Sequence, residues 1–265
     1  MQPFRIEMKS VCVQPLSVLS ANAASCDGLE KIAQCKLHGR KLAIVGSGNS
    51  TMDFLDELRA WDGDIWAINS TGAWLRDHCI ESTFFTVDPG APELFNLTGM
   101  DDAIIATLCH PELKTKFKTV RLFDMIETDP NGVTGGVTTA TRAPLLALRL
   151  GYGDISFFGC EGSFQDKTHS HITKSIDLKD LVIVLACGNE YLTDLEFLSQ
   201  AENLAQIFNL APDIFHNRSG GLLEAIQCNP DTWAIAAVDE SLKAKLEAFN
   251  GASGLYDTIY RGSEW

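Results

Sequence analysis

From Lys41 onward the chain alternates short apolar runs with longer amphipathic segments. That alternation predicts βαβ units built around a mostly parallel sheet. The apolar runs place strands at 42–45, 64–68, 84–87, 103–107, 119–123 and 155–158, with weaker signals at 182–185 and 233–237. Between them, helical spacing sets Met52, Leu55 and Leu58 on one face of a helix over 51–60, and helices over 140–150 and 192–208 follow the same rule. Gly151 is a helix stop. The pattern predicts one Rossmann-like, doubly wound α/β sheet over 41–225, with helices on both faces and the turn at Gly46 at a strand's carboxyl end. Residues 1–40 lack the alternation and are expected to form an N-terminal extension with one short helix at 29–37, leaving 41–265 as a single nucleotide-binding catalytic domain.

Composition narrows the ligand. With 265 residues and 45% hydrophobic content the chain can bury a full-sized core. Its 21 Lys and Arg against 35 Asp and Glu leave a net charge of −14, which repels nucleic-acid phosphates and anionic membranes over long range. A small phosphorylated ligand remains compatible, because backbone N–H groups at helix N-termini bind phosphate locally. The eight cysteines show no C-x-x-C spacing and are expected as reduced thiols. The mildly apolar stretch 11–24 is broken by Gln14 and Pro15 and preceded by Glu7, unlike a secretory leader. No apolar stretch is long enough to span a bilayer, so the expectation is a soluble cytoplasmic protein.

Candidate chemistry collects at the strand ends. The run Gly46-Ser47-Gly48-Asn49-Ser50 follows the first strand and opens a helix, an arrangement in which glycines admit a ligand close to the backbone and the new helix offers N–H groups to an anion. It is neither G-x-G-x-x-G nor a Walker A loop, and a plain β-to-α turn capped by Asn49 or Ser50 is the alternative. Asn69 and Asp88 end the next two strands, where ligands of open parallel sheets sit. Asn69 can read a base or ribose, and Asp88 can hold a divalent cation or a ribose hydroxyl; each is equally at home as a turn residue.

Thr134-Gly135-Gly136, with Thr138 just before a helix carrying Arg142, is a second phosphate cradle or a capped helix start. Glu161 sits between Cys160 and Gly162 after the strand 155–158, placed for ligand or metal contact. His169 and His171 lie in a polar loop and can act as general acid or base. Arg218 and Ser219 precede two glycines and a helix, as an anion clamp or a surface turn would.

As a set, the run 44–50, the strand-end Asn69, the Asp88-Pro89 pair, and 133–136 feeding Leu150-Gly151-Tyr152 and 155–161 resemble the MptE-like family, named for the archaeal 6-hydroxymethylpterin diphosphokinase. The layout is also similar to bacterial CMP-sialic-acid transferases and motility-accessory glycosyltransferases, over about 41–225. It departs from the sialyltransferases at Asn49, where they carry proline, around Ser163, where they carry tyrosine, and at Ala186-Cys187-Gly188, where they carry a catalytic histidine. The resemblance implies a nucleotide-dependent transferase moving diphosphate from a magnesium-bound nucleoside triphosphate to a small hydroxyl acceptor such as a hydroxymethylpterin. The turns at Gly46 and Thr134 would then hold the nucleotide, Asp88 and Glu161 the magnesium, Arg218 phosphate charge, and His169 or His171 the attacking hydroxyl. The alternatives are a glycosyltransferase using a CMP-activated sugar, with Asn69 and the Thr134 turn on the nucleotide, and a catalytically silent nucleotide-binding module.

Overall fold

The computed structural model describes residues 14–136, 138–164 and 181–240, together with the backbone of short strand segments at 5–6, 169–171, 174–175 and 259–260. Seven parallel strands form the main sheet: β1 (Lys41–Val45), β2 (Gly63–Ile68), β3 (Thr83–Thr86), β4 (Asp102–Ala106), β5 (Thr119–Phe123), β6 (Ile155–Phe158) and β9 (Phe215–Asn217). Their order is β9-β6-β1-β2-β3-β4-β5. The chain walks outward from β1 to β5, then returns through α4 (Thr139–Arg149) to add β6 on the other side of β1. The reversal of direction falls between β1 and β6. In an open parallel sheet such a switch point leaves a crevice at the carboxyl ends.

The strands read as continuous apolar runs because both faces are covered. Along β1 the pleat sends Leu42 and Ile44 into one core and Ala43 and Val45 into the other. The smaller core packs Leu58 of α2 (Leu55–Arg59) and Leu75 of α3 (Thr71–Asp77) on Phe158. The larger one holds α4, α5 (Leu195–Leu210), α6 (Gly221–Cys228) and a stack of Trp66 on Phe85 on Phe123, with ring centroids 5.3 and 5.9 Å apart.

Four expectations need correction. The strands at 182–185 and 233–237 do not join the main sheet. Instead β7 (Leu181–Ala186) pairs antiparallel with β8 (Asn189–Asp194) on one side and β10 (Ala234–Val238) on the other. The hairpin turns at Cys187 and Gly188, both at positive φ (50° and 78°), the twist a two-residue hairpin favours. This makes Leu192 part of a strand, so α5 begins only after Asp194, whose side chain accepts the Phe197 N–H at 2.8 Å. Strand β9 was passed over; three residues are too few to display a period.

The helix expected over 51–60 opens instead as a 3-10 helix at Asn49–Phe54 before α2. The tighter winding turns Met52 outward, to 58% exposure, and Thr51 inward, where its hydroxyl bonds the Gly46 carbonyl at 3.1 Å. Finally, 29–37 is extended rather than helical. It lies along β5, with the Ile32 N–H on the Leu122 carbonyl at 2.7 Å, Cys35 N–H on the Arg149 carbonyl at 2.9 Å, and Lys31 paired to Asp124 at 2.9 Å. The N-terminal helix is α1 (Leu16–Ala24), which buries Leu19 in the larger core and ties Asn22 to the Leu108 carbonyl at 3.0 Å.

The burial of Leu19 makes a direct prediction. Leu19→Ala should lower unfolding free energy by about 2–5 kcal/mol in urea titrations, the cost of a cavity in a shared core. A loss below about 1 kcal/mol would show that α1 is peripheral to the fold.

Candidate functional site

The ends of β6, β1, β2 and β3 lie side by side in the sheet, and they present Glu161, the Gly46 turn, Asn69 and Asp88 in that order along one edge. At the switch point the two chains touch through backbone. The Gly46 N–H donates to the Phe158 carbonyl at 2.8 Å and the Gly48 N–H to the Gly159 carbonyl at 2.9 Å. A Cβ on Gly46 would strike the Gly159 carbonyl, and one on Gly159, at φ 64°, would strike Thr51 and the Gly46 carbonyl. Contact therefore requires glycine at both positions, and at Gly159 the backbone angle does as well.

Glu161 closes this junction. Only 8% exposed, its carboxylate accepts the Ser50 N–H at 3.0 Å and the Ser50 hydroxyl at 2.8 Å. A Cβ on Gly48 would overlap that carboxylate. Burial pushes the Glu161 carboxyl above its ordinary range, opposed by hydrogen bonds from the Ser50 and Asn49 backbone and the Ser50 hydroxyl. The helix-start donors expected to receive a ligand anion thus already serve an internal carboxyl group. Ser47 is half-buried within the same turn.

One strand further on, Asn69 adopts a left-handed backbone, φ 51°, and its amide oxygen accepts the Thr86 hydroxyl at 2.8 Å. Thr86 in turn accepts the Asp88 N–H at 3.0 Å, and Asp88 folds back to take the Gly90 N–H at 2.8 Å. Asn69 and Asp88 are therefore locked to each other through Thr86, at successive strand ends.

The roof of the crevice comes from two helix N-termini. Thr138 caps α4 through a reciprocal pair with Thr141, its own N–H reaching the Thr141 hydroxyl at 2.9 Å, and its hydroxyl donates to Gln200 of α5 at 2.9 Å. Before it, Thr134 and Gly135 are exposed and Gly136 is half-buried, with Gly135 and Gly136 at φ 79° and 76°. At the start of α5, Glu196 reaches solvent. Desolvation by the surrounding protein, with the negative charges of Asp194 and Asp88, nonetheless pushes its carboxyl upward. The crevice rim is thus acidic. Glu196 and Gln200 were missed because the helix was expected to begin at 192, which hid Asp194 as its cap; an Asp three residues before an aromatic at a helix start was the available signal.

Other sequence candidates are engaged elsewhere. The Arg218 guanidinium contacts both oxygens of Glu57 at 2.8 Å and lies over the Phe54 ring. Rather than standing ready for phosphate, its charge is met on α2. Ser219 is buried; it accepts the Cys160 N–H at 2.9 Å and donates to the Phe157 carbonyl at 3.2 Å, tying β9 to the end of β6. Arg142 is buried against Glu127, which settles its pairing with an acid. His169 and His171 fall in a short antiparallel strand pair with Lys174–Ser175, and their side chains lie outside the described residues. A groove of about 720 Å³ follows the edge strand β9, lined by Lys41, Ser156, His216 and Arg218 among others, away from the strand-end array.

A magnesium held by Asp88 and Glu161 does not fit this geometry. Both Glu161 oxygens take hydrogen bonds from Ser50, Asp88 is turned onto Gly90, and among the described residues no group of three or more His, Cys, Asp or Glu is arranged to hold a metal. The seven described cysteines are free thiols, and no described helix is long and apolar enough to cross a membrane.

These features define a Rossmann-like, doubly wound α/β protein with its crevice at the β1/β6 switch point. Among solved structures the chain is similar to the MAf glycosyltransferase from Magnetospirillum magneticum AMB-1, with a TM-score of 0.61 and 18% sequence identity over 80% of this chain. The match spans 38% of that protein's length, and at this identity it speaks for the fold. No protein-family model matches the chain, the MptE-like one included, and no curated protein matches it.

The raised Glu161 carboxyl predicts a pH signature. Since the folded chain holds this proton more tightly than the unfolded one, stability is greatest below the ordinary glutamate pKa and falls as pH rises through the higher folded value. Glu161→Gln removes that slope. Its thermal midpoint should gain on wild type as pH is raised from about 4 to about 8, and a constant difference across that range would contradict the assignment.

Proposed function

We propose that this chain is a transferase of the glycosyltransferase kind, which binds a nucleotide-activated sugar with a CMP-like nucleotide along the carboxyl ends of β1, β2 and β3. The observation that carries the reading is that Asn69, locked by Thr86, and the Thr138-capped N-terminus of α4, the crossover into β6, both belong to the carboxyl-end side of the parallel sheet. The donor phosphate meets the N-terminus of α4 with the Thr134 and Thr138 hydroxyls, where backbone N–H groups and the helix dipole favour an anion. Asn69 presents its amide to the base or ribose, at an orientation fixed before binding.

Charge favours this donor over a nucleoside triphosphate. Arg142 and Arg218 are each paired with a glutamate, while Glu196 and Asp88 make the rim acidic. A triphosphate brings several phosphate charges into such a crevice, and the phosphodiester of a CMP-sugar brings one. Diphosphate transfer from a magnesium nucleotide to a hydroxymethylpterin is the less supported reading, since both Glu161 oxygens are taken by Ser50 and one Asp88 oxygen by Gly90. The glycosyltransferase neighbour supports the transferase class through its fold. In this reading His169 or His171 remains the candidate base for the acceptor hydroxyl.

A thermal-shift panel tests the proposal. CMP without metal, at about a hundredfold over its Kd, should raise the midpoint by roughly 5 °C or more. Asn69→Ala should remove most of that shift while leaving the unliganded midpoint within a few degrees. Stabilisation by ATP only in the presence of magnesium would reinstate diphosphokinase chemistry, and no shift with either nucleotide would leave a silent module.

A further inference from the structure

Away from the crevice, the first residue past the end-cap of α1 makes an unusual contact. Cys26 is fully buried, and its sulfur lies 2.8 Å from the Lys114 ammonium nitrogen. Lys114 belongs to the 3-10 turn Pro111–Lys116 that follows β4, so the contact joins segments 88 residues apart in sequence. Other sulfur contacts of the described chain are longer: Cys26 to the Asn22 and Thr107 carbonyls at 3.7 Å, Cys109 to the Thr86 carbonyl at 3.8 Å, Cys160 to the Phe158 carbonyl at 3.6 Å and Cys187 to the Ala225 carbonyl at 3.3 Å. The Cys26–Lys114 separation is longer than a covalent N–S bond and shorter than these hydrogen bonds. One bent oxygen atom fits between the two.

The surroundings hold the pair in that geometry. The Lys114 nitrogen also donates to the Ser25 hydroxyl at 3.0 Å, and Ser25 bonds back to the Asn22 carbonyl at 2.5 Å. Among the described residues Lys114 forms no salt bridge, in contrast to its neighbour Lys116, which pairs with Glu112 at 2.9 Å. Cys26 lies beneath the surface, but Ser25 is exposed and Lys114 partly so, which opens a short path for a small oxidant.

We propose that Cys26 and Lys114 form a covalent N–O–S bridge when the protein meets dioxygen, a reversible modification site that staples α1 to the turn after β4. In the balanced step the thiol gives up its hydrogen and the ammonium two of its three. One oxygen atom forms new bonds to sulfur and nitrogen, the other leaves as water, and one proton passes to solvent. Sulfur and nitrogen each lose two electrons, and dioxygen takes all four. Four thiols of a reductant, leaving as two disulfides, return the four electrons: the S–O and N–O bonds break, the oxygen departs as water, and with one proton from solvent the free thiol and ammonium are restored.

Mass spectrometry of the full chain decides the matter. Protein reduced, desalted and held in dioxygen-saturated buffer should gain the mass of one oxygen less two hydrogens, with the Cys26 peptide joined to the Lys114 peptide. Dithiothreitol should reverse both changes, and an anaerobic sample should show neither. The bridged protein should also unfold several degrees higher than the reduced one, because the link constrains a long loop of the unfolded chain. Lys114→Arg keeps the positive charge but cannot form the bridge, so it should lose the cross-link and the reductant-dependent midpoint together. Whole-oxygen additions on Cys26 with Lys114 unmodified, a disulfide between Cys26 and Cys109, or an unchanged mass would each overturn the proposal.

Discussion

The fold turns on a backbone contact between the carboxyl ends of β1 and β6. Gly46 and Gly159 approach so closely that neither tolerates a Cβ, and the Gly46 N–H and the Gly159 carbonyl are satisfied across the junction by Phe158 and Gly48. Everything that makes the switch point follows from this. Thr51 bonds the Gly46 carbonyl and draws the next segment into a 3-10 helix, while Ser219 clamps Cys160 and Phe157 from the β9 side. Glu161 is carried into the junction by the same geometry, where its carboxyl group takes hydrogen bonds from the Ser50 N–H and hydroxyl.

That internal carboxyl group redistributes the chemistry of the crevice. A glycine turn ahead of a helix is a ready anion site, and here its donors have an occupant built from the chain itself. Under the proposed reading, donors for an outside phosphate would then come from the second glycine turn and the start of α4. There, backbone at positive φ and threonine hydroxyls sit beside Gln200 rather than beside a cation. Arg142 and Arg218 are neutralised by Glu127 and Glu57, so under the proposed reading recognition would rest on hydrogen bonding and helix dipole more than on net charge, a balance suited to a singly charged phosphodiester.

The main sheet was legible because parallel strands covered on both faces leave unbroken apolar runs, and six of its seven strands announce themselves that way. What escaped did so for local reasons. Strand β9 is three residues long, and the hairpin at Cys187-Gly188 relies on a cysteine at positive φ, a residue that carries little turn signal. The segment 29–37 takes its hydrogen bonds from β5 and α4, so its own periodicity is irrelevant to its shape. At the site, residue types at strand ends identified Glu161, Asn69 and Asp88 as neighbours along one edge. Their engagement was out of reach, since whether a carboxylate faces a ligand or a Ser50 N–H depends on contacts between residues more than a hundred positions apart. Arg218 illustrates the same limit, because its partner Glu57 lies on a helix with no sequence link to it.

The central claim is that a nucleotide monophosphate group docks at the start of α4 beside Asn69, with the Gly46 turn as its preassembled floor. Hydrogen–deuterium exchange of the intact chain, with and without saturating CMP, measures this most directly. Amides 46–51 are largely bonded before any ligand arrives, so the account predicts that CMP adds little there and slows exchange chiefly over 134–142 and around Asn69. Protection confined to the β9 groove near Arg218, or no change at any amide, would contradict it.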